Sequence, residues 1–169
     1  GLTERGVEEA KALPELLGDH YKSIELVVTS PLKRALQTAL LGFPQQGIVV
    51  NYDLVEIGRD APENSPKPMD QVLRELDKEM KGRHEDSSFD YKSLMPKKWP
   101  QSTRNDTPSR IIQGAFEWIY MDCREQTIAV ICHYNLIRSA IYGANAPVTP
   151  DFASPIRCQL FMNGNLVPI

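Results

Sequence analysis

Ile24-Glu25-Leu26-Val27-Val28-Thr29-Ser30-Pro31-Leu32-Lys33-Arg34-Ala35-Leu36-Gln37-Thr38-Ala39-Leu40 changes its periodicity halfway along. Residues 24 to 28 are a short, β-branched, apolar run, the pattern of a strand buried on both faces. Thr29-Ser30-Pro31 closes it, with Ser30 placed as a helix cap and Pro31 at the first helical position. Leu32, Ala35, Leu36, Ala39 and Leu40 then recur at helical spacing up to Gly42. A buried strand that turns straight into a helix is the building unit of a parallel sheet.

The same change recurs further on. Ile48-Val49-Val50 reads as a strand followed by a loop from Asp53 to Gly58. Thr127 to Cys132 reads as a strand apolar on both faces, with His133 at its end and a helix through Leu136, Ile137, Ala140 and Ile141 to Gly143. Other helices are expected from Thr3 to about Gly18, capped by Thr3 and kinked or divided at Pro14, and on Met69, Val72, Leu73, Leu76 and Met80. A further helix opens at Thr107-Pro108 and carries Ile111, Ile112, Ala115, Trp118 and Ile119. Arg157 to Met162 reads as a last strand before the Asn163-Gly164 turn. Residues 81–109 turn polar, with Pro96, Pro100 and Pro108 among Phe89, Tyr91 and Trp99, and read as an irregular lid or specificity excursion. The expected fold is α/β: a three-layer, mainly parallel sheet with helices on both faces, in a single domain over residues 1–169.

Composition narrows the partners. The chain has 169 residues, 41% hydrophobic and 24% charged, enough to bury a core. Nineteen Lys and Arg against 22 Asp and Glu leave a formal net charge of -3, without the basic excess of a nucleic-acid binder, so a small partner is expected. No apolar run approaches the roughly 20 residues of a membrane span. Cys123, Cys132 and Cys158 form neither a CxxC nor a zinc spacing; buried thiols in a reducing compartment are expected. The chain opens at Gly1-Leu2-Thr3, so a targeting segment is expected to have been removed or to lie outside the sequence.

In sheets of this kind ligands collect at the carboxyl ends of the strands. Three chemically capable residues fall there. Arg34 stands in the first turns of a helix, where free amides already favour an anion and a guanidinium can grip a phosphate in a fork. His133 is delivered by a hydrophobic strand to the mouth of the sheet, where imidazole can donate to a phosphoryl oxygen or attack it. Glu56, between apolar neighbours, is placed for the raised pKa of a general acid. The competing readings are a solvated arginine on a helix face, a histidine capping the next helix and a surface glutamate. Lys33, His20 and His84 are expected to be solvated.

Leu2 to Gly6 with Glu8 to Ala10, then Ser30-Pro31-Leu32-Lys33-Arg34-Ala35-Leu36-Gln37-Thr38-Ala39, then Glu56, then strand plus His133, together resemble the histidine phosphatase superfamily, the phosphoglycerate mutase-like group. The likeness covers nearly the whole chain, and the Ser30 to Ala39 block is its specific part. Glu56 with Gly58 after it, the polar middle and the late Trp118 helix most resemble the phosphatase-like members of plants and microbes. The resemblance implies a phosphomonoester hydrolase acting on a small phosphorylated metabolite through a phosphohistidine, without cofactor or metal. Arg34 would bind the phosphoryl oxygens, His133 would hydrogen-bond them, and Glu56 would protonate the leaving alcohol. Tyr134 and Asn135 would line the substrate, Tyr134 crowding the phosphate pocket or shaping it for an unusual substrate. Mutase members carry a basic cluster shortly after the glutamate; Ile57-Gly58-Arg59-Asp60-Ala61-Pro62-Glu63 is not one, which favours hydrolysis.

The resemblance also implies an Arg-His-Gly triplet at the end of a first, central strand, and no such triplet occurs in the sequence. The nucleophile and that strand are expected ahead of Gly1, so the domain is read as incomplete at its amino end, its gap open to a protein assembly partner. Arg83-His84 would replace the triplet only in a circular permutation. Two rivals stand beside the enzyme: a catalytically inactive pseudophosphatase serving as a binding or structural subunit of a larger assembly, and an unrelated nucleotide-binding α/β module, for which no glycine-rich phosphate loop appears.

Overall fold

The structure is a computed structural model, and it describes residues 1–58, 61–81, 107–143 and 154–169. The excursion expected over residues 81–109, with Arg83 and His84, falls almost wholly outside the described residues.

The chain begins with α1 (Glu4–Lys11), whose Thr3 Oγ1 accepts the Gly6 amide at 3.1 Å. Pro14 divides the predicted long helix: α2 (Leu13–Leu17) starts anew with the proline in its first turn, where no amide donor is needed. Gly18, at φ 56°, ends α2 and leads to a short α3 (Asp19–Ser23) that the sequence pattern did not announce; exposed His20 lies on it. There follow β1 (Leu26–Thr29), α4 (Lys33–Gly42), β2 (Ile48–Val50), single 3-10 turns at Tyr52–Leu54 and Pro62–Asn64, and α5 (Met69–Lys81). After the undescribed stretch come α6 (Pro108–Asp122), β3 (Ile128–Ile131), α7 (Tyr134–Tyr142), β4 (Cys158–Leu160) and β5 (Leu166–Pro168).

The sheet is parallel, in the order β2-β1-β3, with Thr29 level with both Val50 and Ile131 at its carboxyl end. Side chains divide between its faces with a period of two. Val27, Ile48, Val50, Ala129 and Ile131 pack toward α4 and α5 through Leu36, Ala39, Leu40, Val72, Leu73 and Leu76. Leu26, Val28, Val49, Ile128 and Val130 pack on the other side toward α6 and α7 through Ile112, Ala115, Phe116, Ile119 and Leu136. Among the described residues this is an α/β arrangement of three layers. Truncating a fully buried member such as Leu36 or Leu136 to alanine costs about 2–5 kcal/mol. Gly42 brings α4 close to the first helices, since a Cβ there would stand 2.7 Å from Leu13 Cδ1 and 3.1 Å from the Ala10 carbonyl.

Three expectations need correction. Ser30 does not cap α4: the helix begins two residues after Pro31 with Leu32 at its N-cap, because the Ser30 hydroxyl is taken up by the Leu32 amide and by His133. The last predicted strand forms ahead of its turn as expected; as β4 it pairs antiparallel with β5 in a separate hairpin, Cys158 opposite Pro168. As residues the three cysteines are half-buried rather than buried, although burial is still the main influence on each thiol. Lys33 is not solvated but joins α4 to α5 by ion pairs with Glu75, at 3.4 Å, and with Glu79. No described helix is long and apolar enough to cross a membrane.

Candidate active site

The register that makes Thr29 level with Ile131 also brings the residues after them together. The Ser30 amide donates to the Ile131 carbonyl at 2.9 Å, continuing the ladder one step past the strands. Two residues beyond Ile131, the His133 ring turns back over this edge, with Nε2 2.7 Å from Ser30 Oγ. Both side chains are buried, Ser30 fully and His133 at 5% exposure. His133 occupies the N-cap position of α7 yet does not cap it with its side chain.

Glu56 supplies that service instead. Its Oε1 accepts the amides of Ile57 at 3.0 Å and Leu136 at 3.3 Å, and its Oε2 accepts the Asn135 amide at 3.4 Å. A carboxylate at the amino end of a helix meets both unbonded amides and the positive end of the helix dipole. The loop after β2 is thereby fastened to the first turn of α7, beside His133. Tyr134 and Asn135 are the first two residues of that helix and are half-buried; Asn135 enters the cluster through its backbone amide.

Arg34 is the second residue of α4, whose first turn holds no acidic residue and whose N-cap makes no side-chain bond. Its guanidinium is turned toward the Pro62–Asn64 turn: Nη1 donates to the Glu63 carbonyl at 3.1 Å and Nη2 to Asn64 Oδ1 at 2.9 Å. Its charge nevertheless reaches the imidazole. Burial, and after it the positive charge of Arg34, hold His133 down at about 3. The ring is therefore neutral at neutral pH, within reach of the positive charge of Arg34. An oxyanion bound there would be attractive to both groups.

Among the described residues Ser30 contacts His133 directly, the Glu56 carboxylate binds the first amides of the helix that follows His133, and Arg34 reaches this edge through its charge while its guanidinium is bonded to Glu63 and Asn64. Ser30 could have been suspected from the sequence only by giving up its reading as a helix cap. Nothing in the pattern points to Asn64, 30 positions from Arg34. Asn51, at the carboxyl end of β2, is buried, and its Nδ2 has no hydrogen-bond partner among the described residues while its Oδ1 accepts the Asp53 amide. Cys132 is no thiolate: burial above all, with the charge of Glu56 adding to it against a backbone hydrogen bond, pushes its thiol up to about 12. No three His, Cys, Asp or Glu side chains among the described residues gather closely enough to hold a metal ion. Among the described residues, two hollows of about 190 and 250 Å³ lie along α6, and neither is lined by any of these residues.

Residues 1–159 match the family described as the histidine phosphatase superfamily (branch 1). No curated protein matches the chain at a significant level. Among solved structures, the chain is similar to the alpha-ribazole phosphatase from Shigella flexneri, at 20% identity and a TM-score of 0.47. It is similar also to a protein from Escherichia coli provisionally named as an alpha-ribazole-5'-P phosphatase, at 20% identity and a TM-score of 0.48. In each case 81% of this chain is covered, and the chain spans 63% of the length of the other.

Proposed function

Because the chain belongs to the histidine phosphatase superfamily (branch 1), we propose that it forms part of a phosphomonoester hydrolase that works on a small phosphorylated metabolite through a phosphohistidine. The reading is supported above all by one observation. The 2.7 Å contact of His133 with Ser30 and the bonds from Glu56 to the amides of Asn135 and Leu136 gather three distant segments at one end of the sheet.

The Arg-His-Gly triplet of the family does not occur in the 169 residues, and the proposal takes the nucleophilic histidine from another part of the full-length protein. In the first step its ring nitrogen bonds to phosphorus and the ester P–O bond breaks. The leaving oxygen takes a proton from Glu56, which enters this step as the carboxylic acid and whose Oε2, with a single amide contact at 3.4 Å, is the less committed oxygen. In the second step water attacks phosphorus, the P–N bond breaks, and Glu56 takes up a proton from the water, releasing phosphate and free histidine. Through both steps Arg34 exchanges its contacts with Glu63 and Asn64 for two phosphoryl oxygens, and the neutral imidazole of His133 donates a hydrogen bond to a third. Tyr134 and Asn135 bound the space that the ester group enters.

The test is hydrolysis of para-nitrophenyl phosphate by the full-length protein. Arg34→Ala is expected to lower turnover by at least about a hundredfold, the scale for losing one transition-state anchor. Unchanged activity in that variant removes Arg34 from the site. A second reading, the inactive pseudophosphatase acting as a binding subunit, is favoured by the engagement of both Nη atoms of Arg34 with protein acceptors. Binding of inorganic phosphate without any turnover by the full-length protein would establish it over the first.

A further inference from the structure

We infer that Ser30 is a positioning residue, holding the imidazole of His133 in one tautomer and one orientation toward the oxyanion that Arg34 and His133 share. The inference deepens the proposed function and rests on it for its kinetic consequences alone; the state of the ring is a property of the fold.

Ser30 is itself tied into the sheet edge. Its amide is bound to the Ile131 carbonyl at 2.9 Å, its carbonyl accepts Thr29 Oγ1 at 3.3 Å, and its side chain is fully buried. The hydroxyl oxygen already accepts the Leu32 amide at 3.2 Å, which leaves the hydroxyl proton to be placed. The Nε2 of His133, 2.7 Å away, is the partner in reach, so the serine donates and Nε2 accepts. In a neutral imidazole the ring proton then sits on Nδ1, the nitrogen turned away from Ser30. A hydrogen-bond donor is thereby presented to an incoming anion without first exchanging tautomers. Among the described residues the hydroxyl is the only side-chain hydrogen-bond partner of this ring, so beyond the packing of the buried ring it alone selects the nitrogen that carries the proton.

A hydroxyl that only satisfies a buried ring would affect stability when removed, but not the tautomer or turnover of the folded enzyme. The experiment is nitrogen NMR of the full-length protein labelled in histidine, together with steady-state kinetics on para-nitrophenyl phosphate. At neutral pH His133 is expected to show a protonated Nδ1 and an unprotonated Nε2. Ser30→Ala is expected to give a mixture of both tautomers and a kcat lowered by about ten- to a hundredfold, with KM little changed, as for a misplaced reacting group. Ser30→Thr, which keeps the hydroxyl, restores the single tautomer and most of kcat. Should the alanine variant not fold, Ser30→Cys keeps a weak donor in nearly the same volume and is expected to give an intermediate tautomer ratio. A proton on Nε2 in the unaltered protein, or an unchanged ratio and kcat in Ser30→Ala, overturns the inference. If the unaltered protein hydrolyses no phosphomonoester, the proposed function falls while the tautomer measurement still decides the role of Ser30.

Discussion

His133 links position to pH. Its folded pKa, held at about 3 by burial and by Arg34, lies below the ordinary 6.5, so the unfolded chain takes up a proton that the folded one refuses. Stability from this residue is present above pH 6.5 and is lost as pH falls from there toward 3, by an amount on the order of a few kcal/mol. The melting temperature is therefore expected to drop between pH 7 and 4, and His133→Gln, which has nothing to titrate, is expected to flatten that part of the curve. An identical pH dependence in the variant would show that the ring is protonated in the fold. At this scale the places of the three candidate residues along the fold were legible because strand ends and helix starts are visible in the pattern. Their partners were not. Asn64 reaches Arg34, and Ser30 reaches His133, across 30 and 103 positions, and hydrophobic periodicity carries no information on which polar atoms meet.

Elements show the same division. Pro14 was correctly read as an interruption, since a missing amide is a local fact. The start of α4 was misread because Ser30 and Pro31 fit a cap and first turn locally, while a tertiary bond to the imidazole held the serine elsewhere. The carboxyl-terminal hairpin was half seen. Asn163-Gly164 announced its turn and the strand before it was read, but Leu166–Pro168, which ends in a proline, carries no strand pattern of its own. Gly164 there has φ 82°, and a Cβ on it would stand 2.5 Å from the Gln113 carbonyl of α6. Gly164→Ala is expected to destabilise the protein by about 1–3 kcal/mol, from backbone strain and loss of the close approach. Chemical denaturation measures it, and an unchanged midpoint would mean that the hairpin does not press on α6.

For the whole molecule, the edge of the sheet is the feature with consequences. All four residues of β3, Ile128 to Ile131, are half-buried, and none is charged or proline. Among the described residues β3 pairs with β1 on one side and with no strand on the other. Such an apolar edge is a template for another strand. The isolated 169-residue polypeptide is accordingly expected to self-associate at micromolar concentration, which sedimentation velocity detects. A stable monomer would mean that something already covers the edge of β3.

Read alone, the chain determined the order of its main helices and parallel strands, the division of the sheet into two apolar faces, and the arrival of Arg34, Glu56 and His133 near strand ends. These follow from residue spacing and from turn chemistry, both of which act over a few positions. Which sheet β4 joins, what caps α7, where the Arg34 fork points and how the His133 ring is held were decided only in the folded molecule. Each depends on atoms that burial and strand register bring within hydrogen-bonding range, and no local pattern records that distance.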